Sequence, residues 1–229
     1  FKMINKILAN ALASLKKIQD KEGNVFKSEK LDAKSITILK ENSYLFPIVK
    51  GWYCIQSPST QAGDTTVWYI NAWLFFSKYL NGRFGKNGYC LNPHDSLMLH
   101  TEKNAIPKQL TVIIKKGVSS SITKLPDNMT LFAYEDKHNF PKILDKRRGV
   151  NIFRIEDALC KSDNNSFRNN PLEMEIALKS IRDVSTIINA LIDLGRMDTS
   201  AARLSGAYMY LGREKDAKNI SDTYASLVG

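Results

Sequence analysis

The chain has 229 residues, with 33 Lys+Arg against 23 Asp+Glu for a formal net charge of +10, and 43% of its residues are hydrophobic. That is long enough for one large or two small domains with real cores, and too apolar for a disordered chain. No stretch reaches the ~18 to 20 consecutive apolar residues of a membrane span, and the N-terminus lacks the apolar segment of a secretion signal. Cys54, Cys90 and Cys160 are odd in number and far apart, which excludes a disulfide framework and a CxxC metal or redox motif. The expectation is a cytoplasmic protein with three reduced thiols.

From the N-terminus, Ile4, Ile7, Leu8, Ala11, Leu12, Leu15 and Ile18 repeat at three and four residues, which predicts an amphipathic helix over 4–18 ended by Glu22-Gly23-Asn24. Val25-Phe26 is a short apolar step, and Ser28 is a natural N-cap for a brief turn through Leu31. Asp32 caps a further helix, 33–41, with Ile36 and Leu39 inward and Lys34, Ser35, Thr37 and Lys40 outward. Leu45 to Val49, a turn at Lys50-Gly51 and Trp52 to Ile55 predict a two-stranded hairpin. Helix, short helix, helix, hairpin is the order of a winged helix-turn-helix, whose third helix lies in the major groove of DNA. The competing reading is a winged helix used for protein contacts.

Residues 57–66 form a polar loop, and 67–84 a helix whose aromatics (Trp68, Tyr69, Trp73, Phe75, Phe76, Tyr79) favour a core strut over a base-stacking platform. Asn92-Pro93 starts a helix through 96–100. The runs 109–114, 121–125, 130–135 and 150–155 predict a small sheet, and 156–161, 171–181, 184–194, 200–211 and 214–227 predict helices, with caps at Asn170, Asp183 and Thr199 and stops at Gly195 and Gly212. The fold class read from this pattern is α+β: an N-terminal winged helix-turn-helix over 1–57, a connecting loop and helix over 58–95, and a mixed α/β domain with a small sheet and C-terminal helices over 96–229.

Charge is uneven. Residues 1–117 carry 17 Lys+Arg and 8 Asp+Glu, whereas residues 118–229 carry 16 and 15. A basic half beside a neutral one points to a polyanion, because clustered positive charge attracts phosphate and gains from counterion release. The alternative is lysine that merely solubilises the surface.

Few residues are arranged for chemistry. His94, His100 and His138 sit at no metal-ligand spacing, and no GxGxxG, Walker or GxSxG string occurs. Lys116 to Ser121 has the composition of a small anion nest or of a strand-connecting turn. The carboxylate pairs Glu135-Asp136, Glu156-Asp157 and Glu173/Glu175 fit surface or capping roles. The expectation is a non-enzymatic protein with no metal and no cofactor.

The strings Lys50-Gly51-Trp52-Tyr53, Gly63 to Tyr69 (GDTTVWY), Ser96 to Thr101 (SLMLHT), Ile106 to Val112 (IPKQLTV) and Arg203 to Tyr208 (RLSGAY) resemble the N-terminal regions of long bacterial Fic-family proteins, from Met3 to about Ile220. The layout also resembles the AbiEi-like type IV abortive-infection antitoxins, in which a winged helix precedes an α/β domain. The Fic active site is an HPFxDGNGR-type loop, and no such string exists here, so the resemblance does not carry adenylyl transfer to this chain. The expectation is either a fragment of a longer protein or a chain whose partner half was lost, and Phe1-Lys2 ahead of Met3 favours a truncated expression product. Thr37 to Asn42 also fits the [S/T]xxxE[G/N] pattern of a Fic inhibitory helix, although a recognition helix explains it better.

The functional expectation is a DNA-binding transcriptional regulator or antitoxin-like module. Its partners would be double-stranded DNA and a Fic domain in the same full-length chain or a cognate toxin. Lys34, Ser35, Thr37 and Lys40 would face base edges or phosphate, with Lys27, Ser28 and Lys30 on the backbone and Lys50 at the wing tip. The alternative is a regulatory or partner-binding N-terminal region of a Fic-family AMP-transferase whose catalytic domain lies outside this chain.

Overall fold

The computed structural model of the chain describes all residues except 1, 62, 104, 118, 119, 196, 197 and 229. Helix and strand are mixed in an α+β arrangement. The N-terminal elements are α1 (Lys2–Glu22), β1 (Val25–Lys27), a single 3₁₀ turn (Ser28–Lys30), α2 (Ala33–Glu41), β2 (Leu45–Val49) and β3 (Trp52–Ile55). Next come α3 (Thr66–Phe84), β4 (Tyr89–Leu91), α4 (Pro93–His100), β5 (Gln109–Ile114), β6 (Ser121–Lys124), β7 (Thr130–Glu135), β8 (Leu144–Arg147) and β9 (Val150–Phe153). The chain finishes with α5 (Ile155–Lys161), α6 (Asn164–Asn169), α7 (Pro171–Ser180), α8 (Ser185–Asp193), α9 (Thr199–Tyr210) and α10 (Glu214–Val228). The strands form three sheets, ordered β1-β3-β2, β4-β5-β7-β6 and β8-β9. No helix among the described residues is long and apolar enough to cross a membrane.

The chain divides into two compact units. The first comprises Phe1–Arg83, Ile106–Leu110 and Ser121–Phe132, and the second Phe84–Ala105, Thr111–Ser120 and Ala133–Gly229.

In the first unit, α1 runs a full turn past the apolar repeat and stops where Gly23 takes φ +79 and donates its N–H to the carbonyl of Gln19; only glycine adopts that conformation without a Cβ penalty. Ala11 and Leu15 of α1 pack with Phe26, Leu39 and Leu45 in one buried cluster. β3 is the centre of its sheet: Val25, Phe26 and Lys27 pair antiparallel with Cys54, Tyr53 and Trp52, and Leu45 with Ile55. The aromatic helix α3 is a core strut. Trp68, Phe75, Phe76 and Leu80 are fully buried, the Trp68 indole N–H points at the Met129 sulfur at 3.2 Å, and Trp52 stands edge-on to Phe75 with ring centroids 5.7 Å apart.

In the second unit, Asn92 caps α4 by accepting the Asp95 N–H at 2.6 Å. α4 is fastened to neighbouring strands by buried hydroxyl bonds: Ser96 donates to the Leu91 carbonyl and accepts the Phe153 N–H. Phe153, Leu159, Ala177, Ile187, Leu191, Leu204 and Ile220 belong to a single helical core. Several local expectations are corrected. Ser28 begins the 3₁₀ turn instead of capping it, and no side chain caps that turn. Asn170 makes no capping bond to α7; its amide donates back to Ser166 at 3.5 Å. Thr199 is the first residue of α9, with Asp198 before it. The elements β4, β8 and α6 are additional to those read from the pattern.

Candidate nucleic-acid interface

Helix α2 is set by its ends and by one buried side chain. At its start, Asp32 Oδ1 accepts the Ser35 N–H at 2.9 Å and Oδ2 accepts the Ser35 hydroxyl at 2.6 Å. The Ser35 hydroxyl, followed by its backbone N–H, holds the Asp32 carboxyl below the usual carboxylate range. At its end, the Asn42 N–H bonds back to the Ile38 carbonyl. Leu39 is the fully buried anchor. Lys34, Thr37 and Lys40 lie outside on successive turns, all exposed, and Lys34 and Lys40 are separated by ~9 Å along the axis.

Seven of the eight basic and hydroxyl positions expected to meet DNA fall into three groups. Lys34, Lys40 and Lys50 are exposed, and no carboxylate among the described residues lies within ion-pair distance of them. Lys27 and Lys30 are engaged: Lys27 Nζ lies 3.8 Å from Glu29 and 5.8 Å above the Trp52 ring, and Lys30 Nζ lies 3.1 Å from Glu22. Ser35 and Thr37 donate their hydroxyl protons inside the helix, to Asp32 and to the Ala33 carbonyl at 3.0 Å, so only their acceptor capacity faces outward.

The hairpin tip and the 3₁₀ turn are neighbours. The Ser28 N–H donates to the Gly51 carbonyl at 2.9 Å, and Gly51 turns with φ +77, so Ser28 and Lys50 are brought to one end of the sheet. The pairing hidden from the sequence is that of Glu22. It accepts from Lys30 and, at 3.5 Å, from Lys78 of α3; the Lys30 hydrogen bond is the largest cause of its lowered pKa, against a partial offset from burial. Sequence spacing gives no sign of the Lys78 contact, because the two residues lie 56 positions apart.

The reactive side chains elsewhere are muted. Cys54, Cys90 and Cys160 are buried free thiols, and burial pushes Cys54 up to about 12. The His100 ring is 2.8 Å from the Phe153 carbonyl oxygen, and burial lowers the pKa of His94. Among the described residues no group of three or more His, Cys, Asp or Glu is placed to hold a metal ion. Val118 and Ser119 of the nest-like segment lie outside the described residues. No protein-family model matches the chain, and no curated protein matches it.

Proposed function

We propose that the chain is a non-enzymatic, DNA-binding regulator of the antitoxin type, in which the N-terminal elements act as a winged helix and α2 lies in the major groove. The observation that carries this reading is the exposed row Lys34, Thr37 and Lys40 on a capped helix, with no carboxylate among the described residues within ion-pair distance of Lys34 or Lys40. The order α1, β1, 3₁₀ turn, α2, β2, β3 and the sheet order β1-β3-β2 support it, the 3₁₀ turn standing where the second of the three helices of a winged helix would be. In this reading Lys50 at the hairpin tip meets the phosphate backbone, and Lys27 and Lys30 contribute less because they are already paired.

The test is Lys34→Ala with Lys40→Ala, assayed by anisotropy on duplex DNA from upstream of the protein's own gene. Loss of preference for that DNA over a scrambled duplex supports the reading, and unchanged affinity and preference overturn it.

A further inference from the structure

A second concentration of positive charge lies in the second unit. A cleft of about 340 Å³ is lined by Asn87, Lys115, Phe140, Pro141, Lys142 and Leu144. Lys115 Nζ stands 5.8 Å over the Phe140 ring, and its backbone N–H holds the Gly88 carbonyl at 3.0 Å, which fixes the end of β5 beside the Lys86-Asn87 turn. Two further exposed lysines, Lys86 and Lys146, belong to the turn and the strand that supply the lining residues Asn87 and Leu144. The buried Asn151 amide donates to the Lys86 and Tyr89 carbonyls at 2.8 and 3.0 Å, and Asn151 is the cross-strand partner of Lys146. Directly opposed residues share a face of a two-stranded ribbon, and so do residues two apart. Lys146 is therefore on the face of Leu144, which lines the cleft, and Lys86 directly precedes Asn87, another lining residue.

Lys86, Lys115, Lys142 and Lys146 are all exposed, and no carboxylate among the described residues lies within ion-pair distance of any of them. The nearby acids are turned to other work. Asp145 Oδ1 accepts the backbone N–H of Lys146 at 2.6 Å, Glu135 accepts the Gly117 N–H, and Asp136 accepts from the backbone and side chain of Asn139. The two lining ammonium groups, of Lys115 and Lys142, repel each other and focus a positive potential into the cleft. The apolar stems and the Phe140 ring leave the ammonium groups as the ligand-facing chemistry.

We propose that this cleft binds phosphate groups of a nucleic-acid backbone, independently of sequence. It supplies affinity, whereas α2 supplies sequence preference. The inference rests on the reading of the chain as DNA-binding, and it adds a second, non-reading contact surface.

The test uses the full chain and a labelled 20-base-pair duplex of arbitrary sequence, titrated by anisotropy between 50 and 200 mM NaCl. Lys115→Gln with Lys142→Gln is compared with Lys215→Gln and Lys218→Gln, which remove the same charge from exposed positions on α10. The expected result is a log–log salt slope shallower by about 2 for the cleft variant only, since each lost phosphate contact removes about one unit. Thermal melting of both variants should match the parent, because all four side chains are exposed. A cleft variant that behaves like the α10 control overturns the proposal, as does a parent chain that binds no duplex at 50 mM. The two readings fail separately. If Lys34→Ala with Lys40→Ala leaves sequence preference intact while the cleft variant loses affinity, the assignment of α2 falls and the cleft stands.

Discussion

Lys78 of α3 reaches the end of α1: its Nζ donates to the backbone carbonyl of Glu22 at 2.7 Å, and equally to the Val25 carbonyl at the start of β1. One ammonium thus satisfies a helix-terminal carbonyl and a strand carbonyl and also meets the Glu22 carboxylate at 3.5 Å. It fixes the angle at which α1 gives way to the β1-β3-β2 sheet. Lys78→Met keeps the stem and removes the donors, and leaving the partly buried carbonyls unpaired should cost about 1–3 kcal/mol in denaturant unfolding. Lys78→Arg should recover part of that.

The N-cap of α2 is predicted to matter through its oxygen. Asp32→Ala removes the acceptor of the Ser35 N–H and hydroxyl, so α2 should fray and both thermal stability and DNA affinity should fall. Asp32→Asn keeps an acceptor and should stay close to the parent in both. Equal losses in the two variants would show that charge, not capping, is what Asp32 supplies.

Arg213 closes the end of α7. Its Nη1 donates to the carbonyls of Leu178 and Ile181 at 3.2 and 2.7 Å, its Nε to Asp216 at 2.6 Å, and its guanidinium lies 4.7 Å over the Tyr208 ring. Arg213→Ala orphans the Ile181 carbonyl, whereas Leu178 keeps the Ile181 N–H, and should destabilise the second unit by about 1–3 kcal/mol. Lysine, lacking the planar fork, should restore less than half. The measurement is urea unfolding of the three proteins.

Asp95 gives a pH signature of opposite sign to most carboxylates. Burial pushes it up to about 6 from an ordinary 3.8, although it accepts the Thr111 N–H at 3.0 Å. Between those two values the folded state holds a proton that the unfolded state releases, so the contribution of Asp95 to stability declines as pH rises from about 4 through about 6. Asp95→Asn removes that titration. Stability of the parent minus that of the variant should therefore fall across this window and be flat above it; a flat difference throughout would show that Asp95 ionises normally.

What the sequence revealed and concealed follows from the physics of each segment. The α2 helix and its hairpin were legible because Asp32, Asn42 and Lys50-Gly51 punctuate the apolar periodicity. β4 was not, because three consecutive buried residues have no alternation to read. β8 was hidden by a charged run, Asp145-Lys146-Arg147, whose pairing to β9 is made by backbone. α6 is almost entirely polar and starts from the Asp163 cap. In the candidate site the lysines themselves were visible. Their neutralisation was not, since Glu22 finds Lys30 and Lys78 only after α1, the 3₁₀ turn and α3 have packed. The inclusion of Ile106–Leu110 and Ser121–Phe132 in the first unit is likewise a matter of tertiary packing that chain order does not reveal.

The most direct test of the central claim is anisotropy of the full chain on its own upstream duplex and on a scrambled duplex, at 50 mM and at near-physiological salt. The account predicts tighter binding to the upstream duplex that persists when salt is raised, because base contacts outlast screening of the phosphate contacts. Equal binding to both duplexes that vanishes with salt, or no binding at either salt, would contradict it.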